Sequence, residues 1–421
     1  MTALRFMVGI AAAIGLMSSA GLANAQQKYT EWGWPLPYEK ISDKSVNWLK
    51  EKGWWPLTVA WQAPWSGQNT VNVVTNREGL LAKRGIDAAF QAFNAGSEIN
   101  EVVSSGRAQV GSGGNFPFTS LLDNRIPVKA LAILSPNLEH ATLVPLNSKL
   151  KSLKDMKGSN PPVVVGIATG SSGEFYFQEA AKANGVVIGK DVIQKNMSIP
   201  DQMLLPQGLD AVVPWELAIS IMVDEKKTAR RIDTIFPYNF YEGNYYVRQE
   251  IIDNAPDVAQ ALSDAYMEAV LWIRLHPQKA ADYLLEEPRL KNYGKALLLQ
   301  QTELYNNLYK PTSTYPHAQF WATENERIAK WLFQTKRLRN ELAAKDYVAA
   351  FDTRYMDKTY EKLGWKVPLQ PSFLPKDWKG QVGKTPYPEY YNARTLTKQQ
   401  PWPEAGDLTK PWQFAGKAYT P

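Results

Sequence analysis

The chain has 421 residues, a formal net charge of +6 and no cysteine. The missing thiols exclude a disulfide framework, thiolate catalysis and thiolate metal sites. Basic and acidic residues alternate without a basic block, which argues against a nucleic-acid footprint.

Met1 to Ala25 carries one basic residue, Arg5, then an apolar run from Phe6 through Met17, then Ala23-Asn24-Ala25 as a small-x-small cleavage site. The apolar core is shorter than the roughly 20 residues a membrane span needs, so the segment reads as a secretory signal cleaved near Ala25. The remainder is long enough for two lobes, at roughly 100 to 200 residues per domain. Trp32, Trp34, Trp48, Trp54 and Trp55 lie among prolines in a strap ending at Pro56, and a second Trp/Pro-rich strap runs from Trp365 to Pro421. Aromatic anchors are expected to pin both, because disordered tails are poor in aromatic residues.

From Leu57 strands and helices alternate. "PLTVAW" reads as a strand, "TVNVVTNREGLLAKRG" as one helix closed by Gly85, and "IDAAFQAF" as the next strand. Ser97 is expected to cap a helix that stops at Gly106, followed by the strand "AQVGSGG", a short helix through Leu121 and the strand "VKALAIL". The same grammar restarts: a helical turn at Lys151 to Gly158, a strand at Val163 to Ala168, a helix from Glu174 to Asn184 with Gly185 after it, and the strand "LDAVV". Two such units imply two mostly parallel sheets with helices on their faces, an α/β fold. Beyond Arg248 the chain turns helical almost to Lys345; Asn254 is placed as a cap and Pro256 in the first turn of a helix ending before Pro277.

In open α/β sheets ligands sit at the carboxyl ends of strands. The loops there offer aromatic faces from Trp65, Phe116 and Trp215, and polar groups from Asn115, His140, Thr169, Ser171 and Ser172. Such a mixture suits a small organic ligand. None of these loops places a Lys or Arg at the cradle, and Glu174 adds a carboxylate in the first turn of a helix. Facing the cleft, that carboxylate would oppose a bare anion such as nitrate and suit an amine or nitrogen heterocycle; facing solvent, it would only complement the helix dipole.

Nucleotide chemistry is disfavoured. "GSGGNF" has Phe116 where the dinucleotide fingerprint needs its third glycine, and no glycine loop ends in the Gly-Lys-Ser/Thr of a P-loop. His140, His276 and His317 are too scattered for a zinc pattern, and His276, before a proline, fits a helix C-terminal cap. Neither a metal nor a cofactor is expected.

In order and spacing, several segments carry a resemblance: "REGLLAKRGID", "SGRAQVGSGGNFP", "VKALAILSP", "SKLKSLKDMKG", "LDAVVPWE" and "NAPDVAQALSDAYMEAVLWIRLHPQKA". Leu57 to about Leu338 resembles the substrate-binding proteins of ABC importers in the nitrate, sulfonate and taurine group, which share a superfamily with thiamine-pyrimidine synthases. The resemblance implies a two-lobed periplasmic binding protein of type II, with lobe I at residues 57–143 and 247–338 and lobe II at 144–246. A signal peptide (1–25), an N-terminal extension (26–56) and a C-terminal extension (339–421) would flank the lobes. It further implies a periplasmic, non-catalytic monomer that hands a small solute to an inner-membrane permease by hinge closure. The Gly170-Ser171-Ser172 loop would hold the polar end of the solute from lobe II, Asn115 and Phe116 would face it from lobe I, and Trp215 would line the cleft. The family commonly has Trp-Glu-Pro where this chain has Trp215-Glu216-Leu217. The alternative is a pyrimidine-forming enzyme on the same fold; its eukaryotic-type members carry a cysteine-rich motif, which this chain lacks.

Overall fold

A computed structural model describes residues 34, 36–63, 69–133, 138–235, 238–239, 241–305, 318–363, 412–414 and 417–419. Trp65, His317, the signal segment and most of the Trp365–Pro421 strap lie outside the described residues.

After helix α1 (Asp43–Glu51), lobe I builds a sheet from β1 (Leu57–Gln62), β2 (Ala88–Phe93), β3 (Val110–Gly114), β4 (Val128–Ile133) and the returning β10 (Gly243–Arg248), in the order β2-β1-β3-β10-β4. Helices α2 (Thr70–Arg77), α3 (Gly96–Ser104) and α4 (Asn115–Asp123) connect its first four strands. Lobe II builds a second sheet, β7-β6-β8-β5-β9, from β5 (Ala141–Pro145), β6 (Val163–Ile167), β7 (Val192–Asn196), β8 (Ala211–Val212) and β9 (Ala229–Thr234), with α5 (Ser172–Ala183) after β6. The sheets are mixed rather than mostly parallel: β10 runs antiparallel to β3 and β4, and β5 antiparallel to β8 and β9. The chain passes between lobes twice, from β4 to β5 and from β9 to β10, and antiparallel pairing is what lets each crossing strand join the sheet it enters.

After β10 come α6 (Gln249–Asn254), α7 (Pro256–Leu275), α8 (Pro277–Glu286), α9 (Lys295–Tyr305), α10 (Ala318–Gln334), α11 (Ala344–Ala350) and α12 (Arg354–Leu363). On α7 the stripe Val258, Leu262, Ala265, Tyr266, Ala269, Trp272 and Ile273 is buried, and so are Ala259, Met267, Val270 and Leu271 beside it. This helix is enclosed nearly all round because α2, α8 and α12 all pack on it. Of its buried acids, Glu268 meets Arg84 Nη1 at 2.6 Å and accepts from the Tyr38 hydroxyl at 2.7 Å. Arg84 also lies 5.0 Å from the Tyr38 ring and 5.8 Å from that of fully buried Trp34. Trp54 stacks under Arg248 at 5.4 Å and meets Trp48 edge-on at 5.6 Å. The described part of the N-terminal strap is therefore pinned by aromatic anchors, as its composition suggests.

Three local expectations need correction. The helix expected to run to Gly85 breaks after Arg77: Gly79 takes φ +61, and a 3-10 turn at Ala82–Arg84 leads into Gly85 at φ +77. Ala95, not Ser97, is the N-cap of α3, which leaves that end without a side-chain cap. Asn254 closes α6 instead of capping α7, whose N-cap is Ala255, while Pro256 occupies the first turn as expected. Of the C-terminal strap, the described part is a two-stranded hairpin pairing Trp412–Phe414 with Lys417–Tyr419.

Candidate functional site

A cavity of about 490 Å³ opens between the lobes, where the carboxyl ends of β3 and β6 give way to helices. Three helix N-termini contribute to its wall: Ala95, Gly96 and Ser97 from α3, Gly114, Asn115 and Phe116 from α4, and Gly170, Ser171 and Ser172 from α5. Neither α3 nor α4 has a side-chain cap, so backbone N–H groups of the first turn remain for another acceptor. At α5 the Ser171 hydroxyl accepts from the Glu174 N–H at 3.3 Å and donates to the Ala168 carbonyl at 2.6 Å. Each helix start carries about half a positive charge. Convergence of three makes the cavity a place for negative charge or acceptor atoms.

Asn115 is buried on this wall, its N–H donated to the Glu242 carbonyl at 3.0 Å, and neither its amide nitrogen nor its amide oxygen has a hydrogen-bond partner. Buried polar groups are normally paired, so this amide is a reserve that a ligand can satisfy. Phe116, half-buried Trp215 and buried Tyr241 supply the apolar faces. Fully buried His140 sits between the last two, 5.9 Å from the Trp215 ring and 5.4 Å from that of Tyr241. Its Nδ1 is 3.0 Å from the Leu138 carbonyl and its Nε2 is 2.7 Å from Ser172 Oγ. Burial lowers its pKa to about 4, against a smaller opposing effect of the Leu138 carbonyl, so the imidazole is neutral at pH 7. Nδ1–H then donates to the carbonyl, and Nε2 accepts from the Ser172 hydroxyl.

Thr169 is exposed on the rim, with its N–H held by Asn196 Oδ1 at 3.0 Å. Glu174 is buried and is not part of the cavity wall. Its carboxylate accepts the Gly170 N–H at 2.6 Å and forms a two-pronged pair with Arg337, Nη1 to Oε2 at 2.6 Å and Nη2 to Oε1 at 2.9 Å. The expectation of a cradle without Lys or Arg is thus corrected: Arg337 stands on the wall. It comes from the connection between α10 and α11, 163 positions from Glu174, and no motif or spacing in the sequence signals that meeting. Among the described residues of the wall, Arg337 is the one charged side chain, and no carboxylate lines it. His276 lies elsewhere, its Nδ1 3.1 Å from the Trp272 carbonyl, as a cap of the α7 C-terminus.

Residues 67–280 match the family model described as NMT1/THI5 like. The chain belongs to that family. Among solved structures it is similar to the periplasmic aliphatic sulphonate binding protein SsuA from Escherichia coli, with 16% identity and a TM-score of 0.58, over 69% of this chain and 91% of that one. The periplasmic sulfonate-binding protein SsuA from Methylobacillus flagellatus KT gives 17% identity and a TM-score of 0.59, over 79% and 98%. The periplasmic nitrate-binding protein NrtA from Synechocystis PCC 6803 gives 14% and 0.59, over 73% and 88%. No curated protein matches the chain. At these identities the likeness carries the fold: this NMT1/THI5-like chain has the two-sheet architecture of periplasmic binding proteins.

Proposed function

We propose that the protein is a periplasmic receptor that delivers a small organic oxyanion, sulfonate-like or carboxylate-like with an aromatic or apolar body, to an ABC importer. The observation that carries this reading is the electrostatic character of the cavity wall. Three helix N-termini meet there, Arg337 is its charged side chain, and no described carboxylate faces it. An amine would find no countercharge on such a wall, because the Glu174 carboxylate is engaged by Arg337 and Gly170. The oxyanion would sit at the helix starts with Asn115, Ser172 and the Ser97 backbone around it, and Phe116, Trp215 and Tyr241 would cover the body. A cavity of about 490 Å³ with these aromatic faces is large for nitrate alone.

A hydrolytic reading of the Ser172–His140 contact is weaker. An imidazole with a pKa near 4 is a poor base at neutral pH, and its Nδ1 faces a carbonyl rather than a carboxylate. Carriage fits better, with export through the segment ending near Ala25.

A thermal-shift screen tests the proposal with alkyl and aryl sulfonates, taurine, aromatic carboxylates, nitrate, aminopyrimidines and the uncharged amides of the acids. Saturation at 100 times Kd stabilises by about 2.7 kcal/mol. An organic oxyanion is expected to raise Tm by several degrees while its amide does not. Stabilisation by aminopyrimidines or amines and by no oxyanion would refute it.

A further inference from the structure

We propose that Arg337 is a specificity-determining residue that contacts the anionic head of the solute and, in the same geometry, locks lobe II to lobe I. The inference rests on the oxyanion reading above and assigns the acid-sensing part of the site to a residue well beyond position 280, where the family match ends.

The position of Arg337 is fixed from three sides. Helix α10 ends with Lys336 at φ 59, the Lys336 N–H donating to Phe333 O at 2.9 Å and the Arg337 N–H to Leu332 O at 2.8 Å, a Schellman closure. The guanidinium lies 4.9 Å from the Trp331 ring, which packs against Phe116 of lobe I and Phe175 of lobe II at 6.3 and 5.3 Å. On its far side, buried Glu174 takes one hydrogen bond from each terminal nitrogen. A guanidinium has five N–H donors in a rigid fork, so this pairing leaves donors for a second oxyanion. With its side chain about 31% exposed on the cavity wall, Arg337 can present them to a ligand.

The same contacts couple recognition to lobe position. Helix α10 packs on α4 and α11, in the core that includes lobe I residues Phe116 and Phe118, whereas Glu174 belongs to α5 of lobe II. Arg327, on the same helix, bridges again to Glu179 of α5 at 3.3 Å and to the Tyr238 carbonyl at 3.1 Å. Glu174 also holds the Gly170 N–H, so one carboxylate ties the glycine loop to the arginine that faces the solute. Opening the lobes breaks both bridges, and an anion at the helix starts strengthens the hold of Arg337.

Calorimetric titration with benzenesulfonate and benzenesulfonamide, and with benzoate and benzamide, tests this in wild type, Arg337→Gln, Glu174→Gln and the double variant. Wild type is expected to prefer an acid over its amide by about 10- to 100-fold, the range of one or two charge-assisted hydrogen bonds. Arg337→Gln should cut that preference about tenfold, the helix starts keeping the remainder, while leaving amide affinity within about threefold, and Arg337→Lys, which keeps charge without the fork, should fall between. The double variant separates contact from scaffolding: if Arg337 touches the solute, Arg337→Gln still costs about tenfold in the Glu174→Gln background. A preference undiminished by Arg337→Gln, or a substitution silent once Glu174 is gone, overturns this inference while leaving the oxyanion reading intact. Failure of wild type to bind any of the four probes overturns both. Hydrogen exchange without ligand adds a check: faster exchange of α5 in the Arg327→Gln/Arg337→Gln variant is expected, and unchanged exchange would refute the lock.

Discussion

Glu242 offers the sharpest test of how the hinge region is built. It stands between Tyr241 on the cavity wall and β10, fully buried, with Oε1 accepting from Asn325 at 2.6 Å and Asn244 at 3.3 Å. Burial pushes its pKa up from 4.5 to about 8; the two amides oppose this and nearby Glu324 adds to it. The folded protein therefore binds more protons at this site than the unfolded chain between pH 4.5 and about 8. The associated stability is complete below pH 4.5 and is lost as pH rises through 8. Each pKa unit is worth about 1.4 kcal/mol, so the loss is on the order of 5 kcal/mol. Glu242→Gln keeps the shape and the acceptor while removing the charge. Calorimetric Tm should match wild type at pH 5 and exceed it by roughly 10–20 °C at pH 8.5, taking about 2–4 °C per kcal/mol for a large domain. Asp233, raised by burial to about 7, gives the wild-type curve a slope of the same sign, so the difference between the two proteins is the diagnostic quantity. Identical pH slopes would refute the reasoning.

His140 acts in the opposite direction: with a folded pKa near 4 against 6.5 unfolded, it makes stability fall as pH drops from 6.5 to 4, and His140→Gln should flatten the acid side of the Tm curve. Arg84→Met strips the enclosed Glu268 of its guanidinium and should cost about 3–5 kcal/mol in chemical denaturation, with Arg84→Met/Glu268→Met recovering most of it; a double variant as weak as the single would contradict the ion-pair account. Gly111→Ala would set a methyl 2.4 Å from the ring of fully buried Tyr246, and the overpacking should cost about 1–3 kcal/mol, read as a lower Tm.

The alternation of strand and helix was legible because each element has its own period and punctuation, as with Gly106 and Gly185 at positive φ after their helices. Strands β7 and β9 were not, since "VIQKN" and "ARRIDT" are largely polar, and β9 owes its pairing to β5, far back in the chain. Helix starts were misplaced by a residue or two where backbone geometry caps without a side chain, as at Ala95. At the site, Asn115, Phe116, His140, Ser171, Ser172 and Trp215 were locatable because they follow strands, and strand ends converge in this architecture. Arg337 was not, because its place depends on how α10 folds back across both lobes, a long-range packing outcome that leaves no local pattern. Glu174 shows the converse: its place at a helix start is plain in the sequence, but its carboxylate faces neither the cleft nor solvent, because Arg337 takes it.

A crystal structure of the protein with the probe that raises Tm most would show whether an organic oxyanion sits where three helices begin. The oxygens of the acidic head are expected within hydrogen-bond distance of Arg337 and of first-turn N–H groups of α3, α4 or α5, with the body against Phe116, Trp215 and Tyr241. A head group pointing to solvent, with the apolar body at the helix starts, would contradict it.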